Sequence, residues 1–61
     1  MTRDEQNALQ PGDRVIFDWA ETAVVTKYRF YGTMQWFPAL RFADGEVYPM
    51  HTFRPEDMTK L

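Results

Sequence analysis

The pair Asp44-Gly45, set between Phe42 and Val47, constrains this chain more than any other local feature. Asp-Gly adopts the two positive φ values of a type I′ turn, and that turn has the twist of the strands it joins. The pattern predicts a tight hairpin between a strand over Gln35–Ala43 and a shorter one at Glu46-Val47-Tyr48. In the longer strand Trp36, Leu40 and Phe42 share one side, and Phe37, Ala39 and Arg41 the other. Pro38 cannot donate to a ladder, so it marks an edge, a bulge or the start of regular pairing.

The rest of the chain reads in the same way. Pro11-Gly12-Asp13 is a turn signal. From Arg14 to Trp19 apolar residues alternate, with Val15, Phe17 and Trp19 on one face, which is the period of a half-buried strand. Ala20-Glu21-Thr22 connects it to Ala23–Tyr31, a run dense in β-branched and aromatic residues and therefore a second strand. Its more apolar set is Val24, Thr26, Tyr28 and Phe30; Ala23 and Val25 face inward instead if a bulge resets the register. Gly32-Thr33 ends the run. Pro49–Thr52 suits a single 3₁₀ turn, and Phe53-Arg54-Pro55 a short fifth strand beside the first. Residues 1–10 read as a flexible tail or one frayed helical turn ending near Leu9, residues 11–55 as the folded barrel, and 56–61 as a polar tail.

With 61 residues the chain is one domain at most. A domain this small buries only about 60% of its unfolded surface, so each large apolar side chain counts. Cysteine is absent, which removes disulfides and thiolate zinc sites. Serine, the commonest hydroxyl nucleophile, is absent too. No apolar run reaches the length of a membrane span and no signal-peptide pattern is present, so the expectation is a soluble cytoplasmic protein.

Five short strands with a 3₁₀ turn before the last make an all-β, SH3-like small barrel. Gly12-Asp13-Arg14-Val15, Ala23-Val24-Val25 and Arg41-Phe42-Ala43-Asp44-Gly45-Glu46-Val47-Tyr48-Pro49 resemble the SH3-like pattern of KOW, Tudor and related bacterial domains, over roughly Pro11 to Pro55. The fold hosts many activities, so it implies a binding role only in general terms. Gly12-Asp13-Arg14-Val15 and Val47-Tyr48-Pro49 also resemble the plasmid type II dihydrofolate reductases, which are tetramers with one central pore as the active site. That likeness implies an oligomeric reductase. The family has a Gln before the aliphatic-Tyr-Pro step, where this chain has Glu46. It has lysines after its Gly-Asp-Arg-Val stretch, where this chain has Phe17 and Asp18.

Chemistry-bearing residues are sparse. A zinc site needs about four close ligands, and His51 is the lone histidine; no metal and no cofactor are expected. The carboxylates fall as Asp4-Glu5, Asp44/Glu46 and Glu56-Asp57. Paired catalytic acids need a pocket that separates their pKa values, and so small a barrel has no interior room for one, so catalysis is not expected of the monomer. From Thr22 to Phe42 the charges are Lys27, Arg29 and Arg41 with no acid, interleaved with aromatics. Cations between stacking rings are what single-stranded nucleic acid needs, which makes Lys27, Arg29, Arg41 and Tyr28 candidates for RNA or DNA contact. The net charge of −2 and pI near 5.1 stand against it.

Two Trp, three Tyr and five Phe exceed what such a core easily buries. Trp19, Tyr31, Trp36 and Phe37 sit at strand ends or opposite the Leu40/Phe42 stripe, and exposed aromatics of this kind mark protein contacts. The expected function is a non-catalytic binding or accessory module of a bacterial or phage type, contacting a protein partner or itself through these rings. A weak nucleic-acid module is the alternative, and an oligomeric reductase a further one.

Overall fold

The computed structural model describes residues 1–29, 32 and 34–61. It is an all-β, small barrel-like fold. Five antiparallel strands form one sheet in the order β4-β3-β2-β1-β5, where β1 is Arg14–Phe17, β2 Thr22–Arg29, β3 Trp36–Phe42, β4 Val47–Pro49 and β5 Met58–Lys60. A helix α1, Arg3–Asn7, precedes the sheet, and 3₁₀ turns at Met50–Thr52 and Pro55–Asp57 precede β5.

Register decides which side of β2 is buried. Val15 is fully buried and pairs with Ala23, whereas exposed Arg14 pairs with Val24. Cross-strand partners share a face, so Ala23 and Val25 point into the core with Leu40 and Phe42, and Val24 is 39% exposed. The more apolar set anticipated from sequence, led by Val24 and Tyr28, is thus the outer one; Phe30 lies outside the described residues. The core joins Val15, Phe17, Ala23, Val25, Leu40, Phe42, Met50 and Met58 with Leu9.

Pro38 is accommodated by hydrogen-bond parity. Val25 turns its N–H and C=O toward Asp13 O and Gly12 N. Val25–Leu40 is therefore a non-hydrogen-bonded pair of the β2–β3 ladder, and so, two positions on, is Lys27–Pro38. The missing N–H of Pro38 faces away from β2, past the end of β4, whose pairing stops at Ala39.

Three expectations are corrected. The fifth strand is Met58–Lys60, not Phe53-Arg54-Pro55. Pro55 instead opens a 3₁₀ turn with its fixed φ, and Met58, 1% exposed, is the inward residue of the segment expected to be a polar tail. Within residues 1–10 the segment Arg3–Asn7 is a capped helix docked on the core: Thr2 and Glu5 form a reciprocal capping box, Leu9 is buried, and buried Gln6 donates to Phe53 O at 3.2 Å. The Met1 ammonium donates to Pro55 O and Met58 O at 2.9 and 2.7 Å. The Asp44-Gly45 hairpin forms, but Gly45 alone carries the positive φ, +88°. Gly45 N–H donates to Phe42 O, and Phe42 N–H to Glu46 O, giving a three-residue loop with a left-handed last residue.

The Thr2 N–H, donated to Glu5 Oε1 at 2.8 Å, and the Thr2 hydroxyl hold the Glu5 carboxyl below its ordinary range. A lowered folded pKa contributes stability that is present above the unfolded value and lost as pH falls through the folded one. Acidification past the ordinary glutamate range is expected to loosen α1, read as faster hydrogen exchange at the Gln6 and Leu9 amides while the β2–β3 amides stay protected. Glu5→Gln, which can still accept from Thr2 N–H, should remove that pH dependence.

Candidate functional site: an acid-edged aromatic cleft

Two local turns build the site. Phe17 N–H donates to Glu21 O and Ala20 N–H to Phe17 O, both at 2.8 Å, so the β1–β2 turn repeats the bonding of the Phe42–Glu46 turn. Each begins at a core Phe, loops through three residues and ends at a Glu. The first has Ala20 at φ +69° where the second has glycine. A side chain there strains the backbone by about 1 kcal/mol or more. Ala20→Gly is expected to raise stability by about 0.5–1 kcal/mol, the relief exceeding the added chain entropy; chemical denaturation reads it.

Both turns lie at the same end of the sheet, since β2 starts and β3 finishes there (Ala23 opposite Phe42). They bring five rings into one cluster. Trp19 stacks on Phe17 with centroids 4.6 Å apart. Phe17 meets Phe42 at 5.8 Å and Phe53 at 5.2 Å. Tyr48 stands edge-on to Phe42 at 5.8 Å and to Phe53 at 6.1 Å. Phe17 and Phe42 are buried, while Trp19 and Tyr48 are 55% and 43% exposed, so the cluster runs from core to solvent.

A cleft of about 290 Å³ opens on it, lined by Glu21, Phe42, Asp44, Tyr48, Thr52 and Phe53. The Trp19 indole N–H donates to Glu21 Oε1 at 3.1 Å, and Glu46 N–H to Asp44 Oδ1 at 2.9 Å. Each carboxylate thus has one oxygen fixed by its own turn. The segments 17–22 and 42–53 contain Asp18, Glu21, Asp44 and Glu46 and neither Lys nor Arg. Rings with carboxylates at the rim favour a cation: the ring faces are electronegative and the acids add charge. A larger hollow of about 460 Å³ between α1 and β5 offers less chemistry, because its charged groups are engaged, Glu5 with Thr2 and Lys60 with Asp13.

The residues singled out from sequence fall at two ends. Trp19 belongs to the cleft end. Trp36 pairs with Arg29 and Phe37 with Tyr28 at the far end of the β2–β3 ladder, six residue steps or about 20 Å away. Trp36 is 61% exposed and Phe37 half-buried, on opposite faces by alternation. Tyr31 lies outside the described residues. Among the cations, Lys27 and Arg29 share a face, with the Arg29 guanidinium 5.5 Å from the Trp36 ring centre. Tyr28 and Arg41 point to the opposite face, where Arg14, Val24, Arg41 and Val47 form a row across four strands. The three cations therefore do not converge.

Sequence reasoning missed Glu21, Asp44, Tyr48 and Phe53. The readable signal was the repeated spacing Phe-x-x-x-Glu at 17–21 and 42–46. Among the described residues no group of three or more His, Asp or Glu is placed to hold a metal, and no helix is long and apolar enough to cross a membrane. No protein-family model, no curated protein and no solved structure matches the chain.

Proposed function

We propose that the protein is a non-catalytic binding module that grips a basic segment of a protein partner in the cleft between Tyr48, Phe53, Glu21 and Asp44. The observation that carries this reading is the ring cluster itself, which ends in two exposed rings beside two carboxylates that take part in no ion pair among the described residues. The cleft has the size for one long side chain and lies at the small end of ligand sites, about 300–1,000 Å³. Trp19, stacked at its edge, reports on occupancy.

The test is a fluorescence titration of Trp36→Phe, in which Trp19 is the single indole, with short peptides matched in length and bearing Arg, Lys or Glu. Saturable change is expected with the basic peptides and none with the acidic one. Glu21→Gln with Asp44→Asn should weaken binding about tenfold or more, the loss of two charge-assisted contacts. Equal binding of all three peptides would sink the reading. The nucleic-acid alternative rests on Lys27 and Arg29 beside Trp36, and single-stranded RNA titrated into a chain that keeps Trp36 distinguishes it: quenching by RNA that survives Glu21→Gln/Asp44→Asn and is lost in Lys27→Gln/Arg29→Gln would favour it.

A further inference from the structure

The far end of the β2–β3 ladder has the opposite character to the cleft. β1 pairs with β2 only over Thr22–Val24, and β4 with β3 only over Ala39–Arg41. Lys27–Arg29 and Trp36–Pro38 therefore form a two-stranded ribbon with no third strand beside it among the described residues. A ribbon of this kind is marginal in water unless something packs on it. It carries Lys27 and Arg29 and no acid, and Arg29 is held over the exposed Trp36 ring. The ion pairs among the described residues are Arg54–Glu56 and Lys60–Asp13, so neither ribbon cation is paired with a carboxylate.

We propose that the occupant of the cleft is this basic ribbon of a second copy of the chain, one of its two cations, Arg29 or Lys27, entering between Glu21 and Asp44 of the next and the other staying at the acidic rim. This rests on the reading of the cleft as a site for a basic segment and names that segment. Charge complementarity selects the pair: the cleft lining has two acids and three rings and no Lys or Arg, and the ribbon has two cations and rings and no acid. Distance makes the contact intermolecular, since about 20 Å of ladder separates a chain's own ribbon from its own cleft. That is beyond the ~8–10 Å Debye length, so the two ends act independently in physiological salt. Each assembly keeps one ribbon free at one end and one cleft free at the other, and the association is head-to-tail and open-ended.

Sedimentation of the full chain over rising concentration, at low and high salt, is the experiment. The average mass is expected to climb past that of a dimer without a plateau, and to fall back as salt rises. A cleft variant, Glu21→Gln/Asp44→Asn, and a ribbon variant, Lys27→Gln/Arg29→Gln, should each be folded by circular dichroism and monomeric alone. Mixed, they should form a one-to-one dimer that grows no further, because only one ribbon and one cleft remain functional. A wild-type chain that stays monomeric overturns the proposal, as does assembly that survives in either variant, which is the mark of pairing through the β4 or β5 edges. Titrating the ribbon variant with the Arg peptide separates the two readings. Peptide binding without self-association overturns the second copy as occupant and keeps the cleft reading; absence of both overturns both.

Discussion

Phe17→Ala is expected to cost about 3–5 kcal/mol, the usual range for a buried phenylalanine, and to leave much of the chain unfolded at 25 °C. Phe17 is 3% exposed and its ring touches three others, Trp19, Phe42 and Phe53. A domain of 61 residues has roughly 3–9 kcal/mol in all, so one ring is a large share. Phe17→Leu keeps most of the volume and should cost less than about 1.5 kcal/mol. It also removes the flat platform under Trp19. The pair of variants therefore separates stability from site geometry: urea titration reads the first, and the Trp19 emission of the folded Leu variant, with loss of peptide binding, reads the second. A Phe17→Ala chain as stable as the parent would mean that the ring is not in the core.

Removing residues 1–9 is expected to destabilise the protein by more than about 3 kcal/mol and to abolish a cooperative melting transition. Leu9 alone is worth about 2–5 kcal/mol as a buried leucine. With it go the Gln6 bonds to Phe53 O and Met58 Sδ and the two ammonium bonds to the Pro55 and Met58 carbonyls. The apolar side chains that α1 and Leu9 cover, Met58 among them, would then face water. Calorimetry of the shortened chain is the check; a sharp transition near the parent Tm would show that α1 is dispensable.

The sheet was legible where local rules act alone. Arg14–Trp19 alternates, Ala23–Tyr31 is rich in strand formers, and Asp44-Gly45 demanded a hairpin; the structure has strands at Arg14–Phe17 and Thr22–Arg29, with Trp19 in the turn after the first, and a hairpin loop at Asp44-Gly45. What failed needed a partner to be visible. The inward face of β2 follows from Val15 opposite Ala23, a pairing set by a turn whose left-handed residue is an alanine. Residues Thr2–Asn7 look solvated because their burial rests on one amide, Gln6, bonded to residues more than forty positions away. β5 was hidden because Met58 is its single buried apolar side chain. For the site, Trp19 was readable as an exposed ring. The acids beside it were not, because Glu21 and Asp44 resemble any loop acid until the two turns are seen to share an end of the sheet.

The twin turns separate what is framed from what is free to vary. Each is closed by its own two backbone bonds, from the core Phe to the fourth and third residues after it, and neither bond uses a side chain. Side chains at positions 18, 19, 21, 43 and 44 can therefore be rewritten while β1, β2, β3 and β4 keep their register, with positions 20 and 45 held to residues that accept a positive φ. The rim of the cleft is a pair of replaceable cassettes on a fixed mount. A lineage could change the charge a molecule like this selects, or lose its affinity altogether, by substitutions at a handful of loop positions that leave the strands in place.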